Sequence, residues 1–219
     1  MGPGIMLGPM SFAQTERQRL AQLLLDVGPD APTLCEGWQT RDLAAHLFIR
    51  ENRPAAAPGI FAPPLSGVLE KETRKQKERP YGELVRAWAA GPPLLLRPVD
   101  SAMNTAENFI HHEDVRRGDG VARPRRFSGV VEKQLLDAAA MMGKMTLRGV
   151  GVPVILTPPA LPPVTVGGAR AVAERGDDVV RVAGEPGELL LWISGRKAVE
   201  VRVEGPGELV KKAEVKLRV

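Results

Sequence analysis

Residues Ala106–Arg117 read AENFIHHEDVRR, the densest run of polar and ionisable side chains in the chain. On a helix at about 100° per residue, Glu107, His111 and Asp114 fall in one narrow sector. That sector borders an apolar face made by Met103, Ala106 and Ile110. His112 points about a quarter-turn away, toward Asn104 and Asn108. A polar sector beside an apolar stripe belongs to a helix that packs against other helices. Asp100 can cap this helix, which is predicted to run to about Arg117.

The segments before it extend the helical pattern. From Ser11 to Val27, Leu20, Leu23, Leu24 and Val27 recur at helical spacing, and Gly28-Pro29 stops the run. Thr40 is the expected N-cap of a second helix, with Asp42 in its first turn, where the dipole favours an anion. This helix is predicted to end at Pro54. Pro54–Pro64 reads as a loop, Ser66–Arg79 as a charged exposed helix, and Tyr81–Ala90 as a short helix stopped by Gly91-Pro92-Pro93. Ser128 can cap a last one over roughly Gly129–Leu147. Four or more helices joined by loops suit an antiparallel bundle.

The composition changes near Gly149. Val152–Thr157 (VPVILT) reads as a strand, and Val179–Val182 and Val199–Val203 alternate in strand fashion. Glu185–Ser194 and Glu208–Glu214 read as helices. The expectation is an α+β chain of two domains, a helical bundle over 10–148 and a small α/β domain over 149–219. Met1–Pro9 is expected to be a tail, with Met10 as a second possible start.

Composition narrows the function classes. The chain has 219 residues, 43% hydrophobic and 26% charged, with a net charge of +4. That is ordinary for a globular protein and excludes disorder as the main state. Cys35 is the only cysteine, so a disulfide scaffold is excluded. Residues 149–219 carry 10 Lys+Arg against 9 Asp+Glu. Charge so evenly mixed, with aromatics at 4%, argues against nucleic acid as a partner. There is no apolar run of about 18 residues to span a membrane. One lone cysteine without an export signal favours the cytoplasm. A monomer or a homodimer is expected.

The chain has three histidines: His46, His111 and His112. A Glu and a His four apart on one helix, here Glu107 and His111, can chelate one metal. They can equally be a hydrogen-bonded pair. A catalytic zinc site needs a third protein ligand, and His46 lies beside Leu43 and Leu47, so it can face a bundle interior.

Gly37–Leu47 (GWQTRDLAAHL) resembles the signature helix of the DinB-like superfamily, in particular the N-terminal domain of mycothiol-dependent maleylpyruvate isomerases. Glu107-x-x-x-His111-x-x-Asp114 is similar to that family's second metal segment. Gly187–Arg196 (GELLLWISGR) resembles the Leu-rich helix and Gly-Arg turn of its small C-terminal domain, which is related to sterol carrier proteins. The resemblance implies a DinB-like four-helix bundle followed by a sterol-carrier-like α/β domain. It implies a divalent metal, zinc or another such as nickel, held by His46, Glu107 and His111. It further implies mycothiol as co-substrate, an electrophilic second substrate, and a catalytic Arg196 that reaches an anionic substrate across the domain cleft. The HHEDVRR run suggests an actinobacterial subgroup of metal-binding proteins.

Other residues carry two readings each. Asp42 either caps its helix or orients His46. Asp114 either orients His111 or pairs with Arg117. Arg196 is either an anion contact or a turn arginine in water. Cys35 reads as an inert, half-buried thiol and Trp38 as a core anchor. Two functions compete: a metal-dependent thiol isomerase or S-transferase, and a non-catalytic, metal-stabilised module that binds a ligand or a protein. An open fourth coordination position favours the first.

Overall fold

The computed structural model describes residues 10–60, 66–91, 101–168 and 178–217. The predicted tail over 1–9 and the predicted cap at Asp100 lie outside them. The chain divides into two compact units, Met1–Gly118 and Asp119–Val219.

The first unit is helical: α1 (Phe12–Val27), α2 (Thr40–Asn52), α3 (Ser66–Lys77), α4 (Tyr81–Ala89) and α5 (Ser101–Arg116). A 3-10 turn, Ala57–Ile60, lies within the Pro/Ala stretch expected to be loop. α1 starts on a reciprocal cap. The Gln14 amide donates to Ser11 Oγ, and the Ser11 amide donates to Gln14 Oε1. α2 is capped by Gln39 rather than Thr40. The Gln39 amide donates to Asp42 Oδ2 (3.0 Å), while Thr40 Oγ1 donates to the Gly28 carbonyl (2.5 Å) and ties the start of α2 to the end of α1.

α1 packs on α4 and α5, and α2 on α3 and α4. Leu20, Leu24, Leu43, Leu47, Leu84 and Trp88 are fully buried between them. Burying each such side chain favours folding by roughly 1.5–3 kcal/mol. Val27, expected on the core face, is exposed, because α1 reaches its end there.

The second unit holds α6 (Gly129–Thr146), β1 (Pro153–Thr157), β2 (Val164–Gly167), β3 (Val180–Ala183), α7 (Pro186–Ile193), β4 (Arg202–Glu204) and α8 (Gly207–Leu217). The strands form one sheet in the order β2-β1-β3-β4. β1 runs parallel to β3, with Val154 opposite Val180 and Leu156 opposite Val182. β2 and β4 pair antiparallel at the edges. All of α7 is buried, and α6 packs on α7 and β2. Gly143 makes that approach possible, since a Cβ there would lie 2.9 Å from Val166 Cγ2.

The architecture is α+β, mixed helical with a small four-stranded sheet. The expected boundary lies at 148/149, whereas the compact units divide at Gly118/Asp119 and group α6 with α7 and β2, on which it packs. An amphipathic pattern shows which face of a helix is apolar, not which neighbour covers it. No described helix is long and apolar enough to cross a membrane.

Candidate metal centre

The loop between α1 and α2 folds over the last turns of α5. A bridge between Pro32 and Gln39 closes it. The Leu34 amide donates to the Asp114 carbonyl (3.0 Å). Gly118 lets the two backbones touch, because a Cβ there would sit 2.1 Å from the Pro32 oxygen. This docking brings the Cys35 thiol to Asp114, with Sγ donating to Oδ2 at 3.3 Å.

α2 and α5 supply the other side chains. The His46 and His111 rings meet edge to face, 5.3 Å between centroids. Glu107 Oε2 lies 3.3 Å from His111 Nε2. Ligand atoms of His46, Glu107 and His111 all fall within 4.8 Å of one another. His111 is buried and Asp114 fully so. His111 Nδ1 is 2.9 Å from Asp114 Oδ2. A carboxylate acceptor there places the proton on Nδ1 in neutral His111 and leaves Nε2 to coordinate, the arrangement typical of metal-binding histidines.

The electrostatics favour positive charge at this point. Burial by itself would depress the His111 pKa, but its hydrogen bonds to Asp114 and Cys35 and the nearby Glu107 carboxylate push it well above the usual range. Burial would raise Glu107, but the adjacent His111, with the charges of Arg50 and His46 behind, brings it down to about 2. Two imidazoles and a carboxylate suit zinc. Glu107 Oε2 is buried and makes no hydrogen bond, so it is free to act as a donor to a cation. The three residues therefore fit a divalent metal. A second group, Cys35, His111 and Asp114, is equally compact. It shares His111, and a metal held there would take Asp114 away from Nδ1.

Other predicted residues separate clearly. His112 turns to α1, with Nδ1 2.8 Å from Glu16 Oε2. Asp42 accepts from the Gln39 amide and pairs with Lys77, the capping alternative. Asp114 bonds His111, while Arg117 Nε donates to Glu113 Oε2 (2.6 Å). Trp38 is not a core anchor: it is 37% exposed, and its ring lies 5.2 Å from that of His46. Arg196 lies in the second unit, where it lines a cavity of about 390 Å³ with Trp192, Lys197, Val201 and Glu214. Its Nη1 donates to the Ser194 carbonyl (2.7 Å).

Sequence reasoning missed Arg50, whose Nε is 3.5 Å from Glu107 Oε2. The available signal was its position four residues after His46, one turn along the same face. It also undervalued Cys35, whose approach to Asp114 depends on tertiary docking of the loop.

No family profile and no curated protein matches this chain. Two solved structures do: the mycothiol-dependent maleylpyruvate isomerase and a mutant of it in which one histidine is alanine. Their identities are 15% and 16%, and each match has a TM-score of 0.56 over 89% of this chain and 92% of the other. The likeness establishes the architecture: this chain has the fold of the mycothiol-dependent maleylpyruvate isomerase.

Proposed function

We propose that this chain binds a divalent metal, zinc by preference and nickel as the alternative, through His46, Glu107 and His111. We propose further that it acts on a small-molecule thiol and an electrophilic partner by isomerisation or S-transfer. The observation that carries this reading is the convergence of the three donors from two helices, with Asp114 holding Nδ1 of His111. The structures of like fold are described as mycothiol-dependent, which supports a thiol, mycothiol first, as co-substrate.

Bound zinc supplies Lewis acidity that favours a thiolate over a thiol near neutral pH. The protein's own groups do the rest. Asp114 fixes the tautomer and orientation of His111. His46 and Glu107 are only half-buried, so the donor group is approachable on their side. The half-exposed Trp38 ring beside His46 offers an apolar surface at that approach. We assign Arg196, next to Lys197 in the second unit's cavity, to contact an anionic substrate.

Cobalt loading tests this reading. Metal-loaded protein titrated with mycothiol is expected to develop a sulfur-to-cobalt charge-transfer band, and a thiol-consumption screen then identifies the electrophile. Stoichiometric cobalt whose spectrum ignores every thiol would reject thiol chemistry and leave a metal-stabilised binding module.

A further inference from the structure

Around Glu107 the buried charges alternate in sign. Arg17 of α1 donates from Nη2 to Glu51 Oε1 (2.6 Å) and from Nη1 to the Trp88 carbonyl (2.9 Å). Arg50 Nη1 stands 3.8 Å from the same Glu51 oxygen and donates to Asn104 Oδ1 (3.1 Å). Arg50 Nε faces Glu107 Oε2 at 3.5 Å. The side chains of Arg17, Glu51, Arg50 and Glu107 are 11%, 5%, 13% and 20% exposed. Glu51 Oε2 and Glu107 Oε2 are both buried without a hydrogen-bond partner. The hold of Arg50 on Glu107 is therefore Coulombic, and it leaves the carboxylate oxygen available to a second cation.

We propose that Arg50 tunes the metal affinity of the centre downward through its charge. Its guanidinium faces the Glu107 donor oxygen and shares that carboxylate's charge with the metal. The inference rests on the metal reading above. A guanidinium this close to the donor oxygen repels a dication held by the same oxygen, and a partly buried setting screens that repulsion poorly. Arg50 cannot swing aside, because Glu51 and Asn104 fix it, and Glu51 is itself held by Arg17. The site consequently binds a divalent cation less tightly than the same three ligands would without Arg50.

The test is zinc affinity of the whole chain by competition with a chromophoric chelator, at one pH and ionic strength. Arg50→Gln is expected to bind zinc about tenfold more tightly, and Arg50→Lys, which keeps the charge, within about threefold of wild type. Glu51→Gln removes the anion that partly balances Arg50, so it is expected to weaken binding by about tenfold. A merely structural arginine would move affinity the other way, since a loosened site binds less well. Arg50→Gln that binds zinc equally or more weakly overturns the proposal. Where thermal melts show Arg50→Gln to be unfolded, Glu51→Gln decides, and unchanged or tighter binding there overturns it too. Wild type that binds no zinc, as expected for His46→Ala, sinks the metal reading and this inference together. Wild type that binds, with Arg50→Gln unchanged, sinks this inference alone.

Discussion

The two units bury different chemistry. In the second, the interior is hydrocarbon: Val154, Leu156, Val180 and Val182 of the sheet are buried, as are Leu189, Leu190 and Ile193 of α7. Its one buried charge among the described residues is Glu188, which accepts from the Glu200 amide (2.8 Å) and so ties α7 to the chain that leads into β4. In the first unit, Glu16, Arg17, His111, His112, Glu113, Asp114 and Arg117 are all buried, four of them consecutive on α5 and Arg117 just past its end. Taking charged groups out of water is unfavourable unless each finds a partner, and an apolar core of the same volume is often as stable. A fold that needed α5 only for packing would not require this row. The contrast marks α5 as the element shaped by chemistry and the sheet as the one shaped by packing.

The contrast breaks first at the metal. His46→Ala and His111→Ala should each abolish stoichiometric zinc by elemental analysis, a loss beyond the roughly 100-fold that changes outside the ligand set produce. His112→Ala should keep the metal, because its ring faces Glu16 on α1. Equal metal loss in all three variants would mean that α5 acts as one structural unit, with no site distinguished within it.

The next largest effect is on stability. His112→Ala takes from the fully buried Glu16 its 2.8 Å ring partner, and a destabilisation of roughly 2–3 kcal/mol is expected in urea unfolding. A change under about 0.5 kcal/mol, the level of surface substitutions, would show that the buried charge of the first unit is not integral to its packing.

Asp114→Asn sharpens the division within α5 itself. The amide retains an acceptor oxygen but removes the charge that orients His111. Zinc affinity should fall by about 10–100-fold while the fold persists by circular dichroism. An unchanged affinity would move Asp114 from the metal's support to the support of Cys35 and the loop.

Much of this was legible in the sequence, and the illegible part has a common cause. The helical period gave α1, α2, α4 and α5, and the four-residue spacing put Glu107 and His111 on one face. The turn away from that face correctly separated His112. What failed depended on contacts between distant segments. Trp38 looked like a core residue because tryptophan usually is, yet it lies half-exposed beside His46. Cys35 meets Asp114 only because Gly118 allows the loop to touch α5. β2 was hidden between Pro162-Pro163 and Gly167-Gly168, which punctuate a strand too short for a pattern. α6 carried an apolar face without a label for its partner, and only Gly143 hinted at a close neighbour.

The smallest expected effect isolates environment from distance. Lys133 Nζ and Asp137 Oδ2 on α6 are 2.6 Å apart, closer than His112 and Glu16 at 2.8 Å. Distance alone would rank the lysine pair as the stronger. Its side chains are 65% and 64% exposed, against 8% and 0% for the buried pair. Water screens the lysine pair and already solvates both of its ends, so breaking it exposes nothing new. In the buried pair the surviving carboxylate stays out of water after its ring partner is lost. Lys133→Ala should therefore change stability by less than about 0.5 kcal/mol, with alanine's higher helix propensity offsetting part of even that. Its residual dependence on Asp137 should vanish in high salt, whereas the His112→Ala deficit should persist there, since buried pairs are screened much less. If the lysine variant instead lost as much as His112→Ala, proximity rather than burial would govern these pairs, and the contrast between α5 and the second unit would lose its energetic meaning.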